Sequence, residues 1–378
     1  MQGITAQTTM DRLRATVTSN WFYLALLALL IITPHAIGWF SGEGPFGTQV
    51  GRRFMVIGES VTWQGRLSQI FIFAILAMSY NLIFGFTGVI SFGHALFFGI
   101  GGYMLGAMLR IDDFDSGLAM ILGVIGGLII AGIASFIIGL VSLRLKGVYF
   151  AVFTLAVAEA VFIYFTRYGP TGAEDGFTFS EMPEVLEPTR NPLNFYYLSL
   201  AGAVLTFLFI RRLMYSPTGA IMLAIRENED RAKSIGYNTL RYKIFSITIG
   251  GMIASFSGML HVILNSKRVG PEMMGVNFTV EPLLMTIIGG IGTFLGPVIG
   301  AAGLRISETL LRDLIITIGD NEINIGDSWE VILGVLFILV VIIFPFGVVG
   351  TWTRWRASKQ TQRMTEVINN SQIATSGD

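Results

Sequence analysis

No cysteine occurs among the 378 residues, which excludes a disulfide framework, thiol chemistry and any cysteine-ligated metal. Histidine is nearly as scarce. Only His35, His94 and His261 are present, with no HExxH pattern and no close Asp or Glu cluster, so no metal site is expected. Charge is sparse too: Asp, Glu, Lys and Arg make up 13% of the chain, against roughly 25% in a soluble domain. The charges cancel to a formal net charge of zero, which leaves no footprint for a nucleic-acid partner. A GxxxxGK[ST] phosphate loop is missing, so the chain is not expected to hydrolyse ATP or to carry a cofactor.

What is abundant is apolar: 53% of residues are hydrophobic, with 45 Gly and 29 Phe. Uninterrupted apolar runs of about 20 residues span a bilayer, and only internally hydrogen-bonded backbone survives there. The chain therefore reads as an all-α polytopic membrane protein with about 8 to 10 transmembrane or re-entrant helices, and the lipid bilayer is its first partner. The runs lie at 21–40, 67–86, 88–109, 117–142, 147–165, 194–210, 244–265, a broken stretch at 282–311, and 331–349. Arg12 and Arg14 precede the first run as in a signal peptide, but Trp21 and Trp39 bound it and no small-residue cleavage site follows. It is read as a retained helix. The organisation expected is a cytoplasmic segment 1–20, a membrane domain 21–350 and a cytoplasmic tail 351–378.

Loop charge sets the orientation. Linkers with Arg144 and Lys146, and with Arg211, Arg212, Arg226, Arg231, Lys233, Arg241 and Lys243, are basic and expected inside. Those with Asp112, Asp113 and Asp115, and with Glu174, Asp175, Glu181, Glu184 and Glu187, are acidic and expected outside. The linker bearing Asp313, Asp320, Glu322, Asp327 and Glu330 is acidic, whereas the tail with Arg354, Arg356, Lys359 and Arg363 is basic. Parity then requires 282–311 to return to the side it left, as two short segments hinged at "GGIGTFLGP". Gly289, Gly290, Gly292, Gly296 and Pro297 permit that break. A similar break, "GFTGVISFGHALFFGIGGY", carries Gly85, Gly88 and Gly93. Gly-interrupted spans in both halves point to an internal repeat with a solute path at the breaks; close helix packing through small residues accounts for much of the same pattern.

Four segments carry a family resemblance: "NLIFGFTGVISFGHALFFGIGGYMLGAML", "KGVYFAVFTLAVAEAVF", "AIRENEDRAKSIGYNTLRYKIFSITIGGMIASFSGML" and "MTIIGGIGTFLGPVIGAA". In this order and spacing, over roughly 67–350, the chain resembles the LivM-type permeases of branched-chain amino acid ABC transporters, whose close relatives import urea and short amides. Residues up to about 66 and the acidic loop 166–193 match no family segment. The resemblance implies a bacterial inner-membrane subunit of an ATP-driven importer. It also implies a homologous, LivH-like second permease, two cytoplasmic ATPase subunits that bind ATP and Mg, and a periplasmic substrate-binding protein.

Candidate pathway residues are Asn81, Ser91, Gly93, His94, Glu159, Gly289, Gly290 and Gly292. Glu159 lies in the run 147–165, where a carboxylate costs about 2.5–3.5 kcal/mol unless it faces a cavity or a partner. It has two readings, a wall of the solute path or a buried structural hydrogen bond. His94 is expected to face the interior; it reaches Glu159 only if the first break lifts it into the membrane, and otherwise caps carbonyls freed at the break. Asn81 and Ser91 share that ambiguity. Free helix ends at the breaks can hold a zwitterion without charged side chains. His35, beside Pro34, and His261 are read as structural. A proton-driven transporter using Glu159 leaves the long amphipathic loop 211–243 unexplained, and an embedded serine hydrolase is disfavoured because "SFSG" lacks the GxSG form.

In that loop, Ser216 and Pro217 read as a helix start. "ENEDRAKSIG" reads as a short helix with Glu227, Glu229 and Asp230 in its first turn and Gly236 as its stop. Helix-dipole complementarity and the positive-inside rule account for the charges. They do not account for Ala232, Ile235 and Gly236, which are expected to form a small apolar surface. The resemblance assigns this segment to ATPase contact, with Glu227, Asn228, Glu229, Arg231, Ala232 and Gly236 as the coupling residues.

Overall fold

The computed structural model describes residues 2–42, 44–50, 55–111, 115–145, 147–179, 182–265, 267–312, 315–318, 321–324, 329–352 and 355. Asp112, Asp113, Lys146, Glu181, Asp313, Asp320, Asp327, Arg354 and the basic tail from Arg356 lie outside the described residues. The fold is almost wholly helical. In chain order the helices are α1 (Gln2–Ser41), α2 (Glu59–Thr87), α3 (His94–Leu109), α4 (Ser116–Ser142), α5 (Val148–Arg167) and α6 (Pro192–Met214). After them come α7 (Pro217–Glu227), α8 (Glu229–Ser234), α9 (Thr239–Leu264), α10 (Asn277–Gly289), α11 (Gly296–Arg312) and α12 (Trp329–Ile343). Among the described residues six helices are long and apolar enough to cross a membrane: α1 from Trp21, α2, α4, α5, α6 and α9. Among the described residues three short antiparallel strand pairs join β1 (Thr48–Val50) to β2 (Met55–Ile57), β3 (Phe177–Thr178) to the distant β4 (Arg268–Val269), and β5 (Ile315–Ile318) to β6 (Asn321–Asn324). No periodicity in the sequence announced them.

The chain divides into two compact units. The smaller comprises residues 1–68 and 184–198. There Ser60 donates to the Pro34 carbonyl at 3.1 Å, and Tyr197 lies 3.0 Å from the Ile31 carbonyl and 3.2 Å from His35 Nε2. Pro34 has no N–H, which frees the Leu30 carbonyl four residues back, and the Tyr196 hydroxyl donates to it at 2.6 Å. His35 sits in this contact as a structural group.

The larger unit, residues 69–183 and 199–378, is organised around α2. Ile72, Phe73, Ala74, Ile75, Leu76, Ala77, Tyr80 and Leu82 are all buried, so this stretch is covered on every face, as uniform hydrophobicity predicts for a central helix. Helices α3, α4 and α9 pack tightly together beside it. Small residues set that closeness: a Cβ at Gly101 would collide with the Ser255 carbonyl, and one at Gly258 with that of Phe98. Hydroxyls supply the polar glue, since Ser257 donates to the Ile72 carbonyl at 2.6 Å and Ser246 to that of Leu82 at 3.1 Å. The outer face of α4, with Ile121, Ile125, Ile129, Ile133 and Ile137, remains exposed and apolar, as a bilayer requires.

Both glycine-rich breaks are present, with altered boundaries. The expected run 88–109 is helical only as α3, and residues 88–93 form an irregular segment between α2 and α3. The broken stretch resolves into the α10–α11 hairpin, split at 290–295, and α10 begins earlier than the apolar run suggested, at Asn277. The last run is shorter than expected, since α12 stops at Ile343.

Candidate functional site

The two breaks converge. Asn81, on α2, donates its amide to the Thr293 carbonyl at 2.9 Å and accepts the Gly292 N–H at 2.9 Å, clasping the α10–α11 loop from both sides. One turn further along α2, a Cβ on Gly85 would lie 2.7 Å from the Gly292 nitrogen. Gly290 and Gly292 have φ of 124° and 75°, a backbone that side-chain-bearing residues rarely adopt. The loop can therefore turn back tightly enough to reach α2. Phe294 packs between Phe86, at 5.4 Å, and Tyr215, at 5.6 Å.

Into this junction reaches Arg226, from the last turn of α7. Its guanidinium donates to the Gly85 carbonyl, and a Cβ on Gly292 would collide with it. Sequence reasoning counted Arg226 only as a loop charge. Its place between two breaks more than 60 residues away on either side is a tertiary fact.

The remaining pathway candidates separate from this junction. The first break does lift His94: its Nε2 lies 2.7 Å from Ser79 Oγ, about 12 Å back from the end of α2 at 1.5 Å per residue. It nonetheless makes no bond to Glu159. Nor does it cap carbonyls among the described residues, correcting that expectation; it is enclosed by Tyr80 and Phe97, and Nδ1 has no hydrogen-bond partner among the described residues. The open end of α3 is satisfied by hydroxyls instead, with Ala95 N–H donating to Thr279 at 2.8 Å and Phe92 N–H to Thr154 at 3.1 Å. Ser91 accepts the Gly93 N–H at 3.3 Å, and a Cβ at Gly93 would strike the Thr154 carbonyl. These residues form a packed support. Gly289 likewise lies against the Gly296 backbone, closing the hairpin. Glu159 is half-buried on α5 and makes no hydrogen bond or ion pair among the described residues.

The loop after α6 folds into two helices, one starting after Ser216 and a short charged one following it, as the sequence suggested, with a shifted boundary between them. Ser216 caps α7 by accepting the Gly219 N–H, with Pro217 at the first position. Glu227 ends α7 and does not begin α8, a correction that follows from the extended backbone of Asn228, whose side chain caps α8 by accepting the Arg231 N–H at 2.9 Å. Gly236 stops α8: at φ 95° it lets its own N–H reach Lys233 O and that of Tyr237 reach Ala232 O. Ala232 is also corrected. It is 2% exposed and packs inward, whereas Ile235 is 67% exposed. The apolar surface here belongs to Ile235, Tyr237 and Leu240, with the exposed Gly236 among them.

Glu229 proves to be a hub. Lys243, at the start of α9, donates to it at 2.6 Å, Thr239 at 3.0 Å, and Lys233 lies 3.0 Å away. Burial alone would raise its carboxyl. The hydrogen bonds from Lys243 and Lys233, the Lys243 charge and the Thr239 hydroxyl outweigh that and push it down to about 2. This pairing fixes α8 against α9 beside a cleft of about 760 Å³, whose floor includes Val89, Ile90 and Phe92 of the first break.

A second charged group went unnoticed in the sequence. Arg305 on α11 pairs with Glu281 of α10 and with Glu308, and its Cζ lies 3.5 Å from the Phe73 ring centroid. Arg312 holds the far side of Glu308 at 2.9 Å. The spacing of Arg305, Glu308 and Arg312, three and four residues apart within an otherwise apolar hairpin, was the available signal.

Comparison with known proteins agrees with this architecture. The model of the family described as branched-chain amino acid transport system, permease component, matches residues 64–341. The chain is 26% identical to the probable branched-chain amino acid transport permease protein LivM of Methanocaldococcus jannaschii, over 74% of this chain and 90% of that one. It is 27% identical to the high-affinity branched-chain amino acid transport system permease protein LivM of Escherichia coli, over 88% and 75%. Similarity extends to the LivH permease protein of the same organism, at 25% over 74% and 91%.

Proposed function

Because this chain belongs to the family of branched-chain amino acid transport permease components, we propose that it is the membrane-spanning permease subunit of an ATP-driven importer for branched-chain or related amino acids. In this reading it lies in the bacterial inner membrane with both termini and the 211–243 loop in the cytoplasm. It pairs with a second permease homologous to it, receives solute from a periplasmic binding protein, and is driven by two ATPase subunits that bind ATP and Mg. The resemblance of the chain to both LivM and LivH proteins supports the paired arrangement.

The observation that carries the proposal is the contact of Arg226 with Gly85. A loop exposed to a cytoplasmic ATPase is thereby bonded to the point where two interrupted membrane segments meet, so displacement of α7 and α8 changes the breaks directly. A proton-driven carrier has no use for such a lever.

Uptake of labelled leucine, isoleucine, valine, urea and acetamide by membrane vesicles containing the complete complex tests the reading. ATP-dependent uptake of the aliphatic amino acids is expected. Uptake that persists without ATP and follows a proton gradient would replace it with a secondary transporter.

A further inference from the structure

The ion group on α10 and α11 is placed where charge is costly. Phe73, on which Arg305 lies, is roughly 9 Å inside the apolar run of α2 at 1.5 Å per residue. The Arg305 side chain is 8% exposed there, and its Nε has no hydrogen-bond partner among the described residues. Its other nitrogens are shared by two carboxylates of unequal standing. Glu308 is tied to Arg312 as well and is 13% exposed, whereas Glu281 is 29% exposed and has Arg305 as its ion-pair partner. A carboxylate open to the surface at this depth is disfavoured against lipid, so its face borders a polar path or a partner subunit.

We propose that Arg305 and Glu281 form a binding site for a zwitterionic α-amino acid within the solute path. The solute carboxylate takes the place of Glu281 on the Arg305 guanidinium, and the solute ammonium pairs with the Glu281 carboxylate so released. Two opposite charges enter and two opposite charges receive them, so no uncompensated charge is left in the membrane at any stage. Glu308, held by Arg312, keeps Arg305 in place during the exchange. The planar fork of arginine suits a carboxylate, and its stacking on Phe73 holds that fork in one orientation. Urea and short amides carry no such pair of charges and gain nothing from the site. The proposal rests on the permease reading above and deepens it by locating the chemistry that selects an amino acid.

A structural ion pair is the competing account, and a neutral double variant separates the two. Arg305→Gln removes the ion-pair partner of Glu281, and Glu281→Gln leaves Arg305 with Glu308 as its carboxylate; each is expected to impair the complex. Together they remove both charges, so a purely structural pair predicts recovered assembly and recovered leucine uptake. A solute site predicts recovered assembly with leucine uptake at least about tenfold below wild type, that is, a loss of about 1.4 kcal/mol or more in transport. Full uptake by the assembled double variant overturns the proposal. Glu281→Asp, which keeps the charge but shortens its reach, decides the matter if the double variant does not assemble. The KM for leucine is expected to rise at least about fivefold, and an unchanged KM overturns the proposal. Failure of the wild-type complex to take up any amino acid would instead overturn the permease reading itself.

Discussion

Arg226 donates to the carbonyl oxygen of Gly85, joining the end of α7 to the last turn of α2 at the place where Gly292 of the other break approaches. A hydrogen bond from a charged donor contributes about 1.5–3 kcal/mol. Arg226→Ala is therefore expected to lower leucine uptake per ATP hydrolysed by at least about tenfold, with hydrolysis itself retained. Gly292→Ala places a methyl group against the same guanidinium on a backbone of φ 75° and should give the same defect. Because both act on one contact, the double variant is expected to be no worse than the poorer single variant. Additive losses, measured as uptake and phosphate release in the same vesicles, would mean that Arg226 and Gly292 act separately.

The surface of the α8 region offers a cleaner test of partner docking than its buried side. Ile235→Glu adds charge at an exposed apolar position and should reduce co-purification of the ATPase subunits while leaving the permease folded. Ala232→Trp overpacks a buried site and is expected to cost about 1–3 kcal/mol in the loop itself. Limited proteolysis distinguishes them: the Trp variant is cut faster in the 228–238 segment, and the Glu variant is not. Retained ATPase binding in Ile235→Glu would place the contact elsewhere.

The attachment of α8 to α9 through Glu229 should depend on pH in one direction. Its carboxyl is lowered to about 2 in the folded loop against an ordinary value of 4.5, so the stabilisation is fully present above about pH 4.5. It is lost as pH falls from there through about 2. Fluorescence from a probe on a cysteine introduced at Asp230, in this cysteine-free chain, is expected to report release of α8 over that window. Glu229→Gln should abolish the transition, and an unaltered transition in that variant would assign it to another group.

His94 and Glu159 do not form a pair, so their substitutions should act independently. His94→Ala removes the partner of Ser79 and leaves a cavity between Tyr80 and Phe97, which predicts a loss of about 2–4 kcal/mol in stability. Glu159→Gln removes a charge that has no ion-pair partner among the described residues, and it should leave thermal stability within about 0.5 kcal/mol of wild type. Thermal unfolding of the detergent-solubilised double variant is expected to equal the sum of the two effects. A coupling energy above about 1 kcal/mol would indicate a contact between them in another conformation.

The amino-acid sequence alone determined the class, because a bilayer leaves a chain few choices: apolar runs of sufficient length become helices whatever surrounds them. It also determined the cap at Ser216 and the stop at Gly236, which depend on residues within a few positions of one another. The existence of both breaks followed from glycine, whose freedom is local. What occupies the breaks did not. Asn81 meets Gly292 across more than 200 residues, Arg226 meets Gly85, and His94 takes Ser79 as its partner and leaves Glu159 aside. Burial of Ala232 and exposure of Ile235 were likewise decided by what α8 packs upon, which a short charged helix does not announce. Arg305 and Glu308 stand one turn apart in the sequence, yet only the return of α11 alongside α10 brings Glu281 to them. The physical reason is common to all of these: helix formation is governed by neighbours in the chain, whereas side-chain partners are chosen by which surfaces the folded helices bring within a few ångströms.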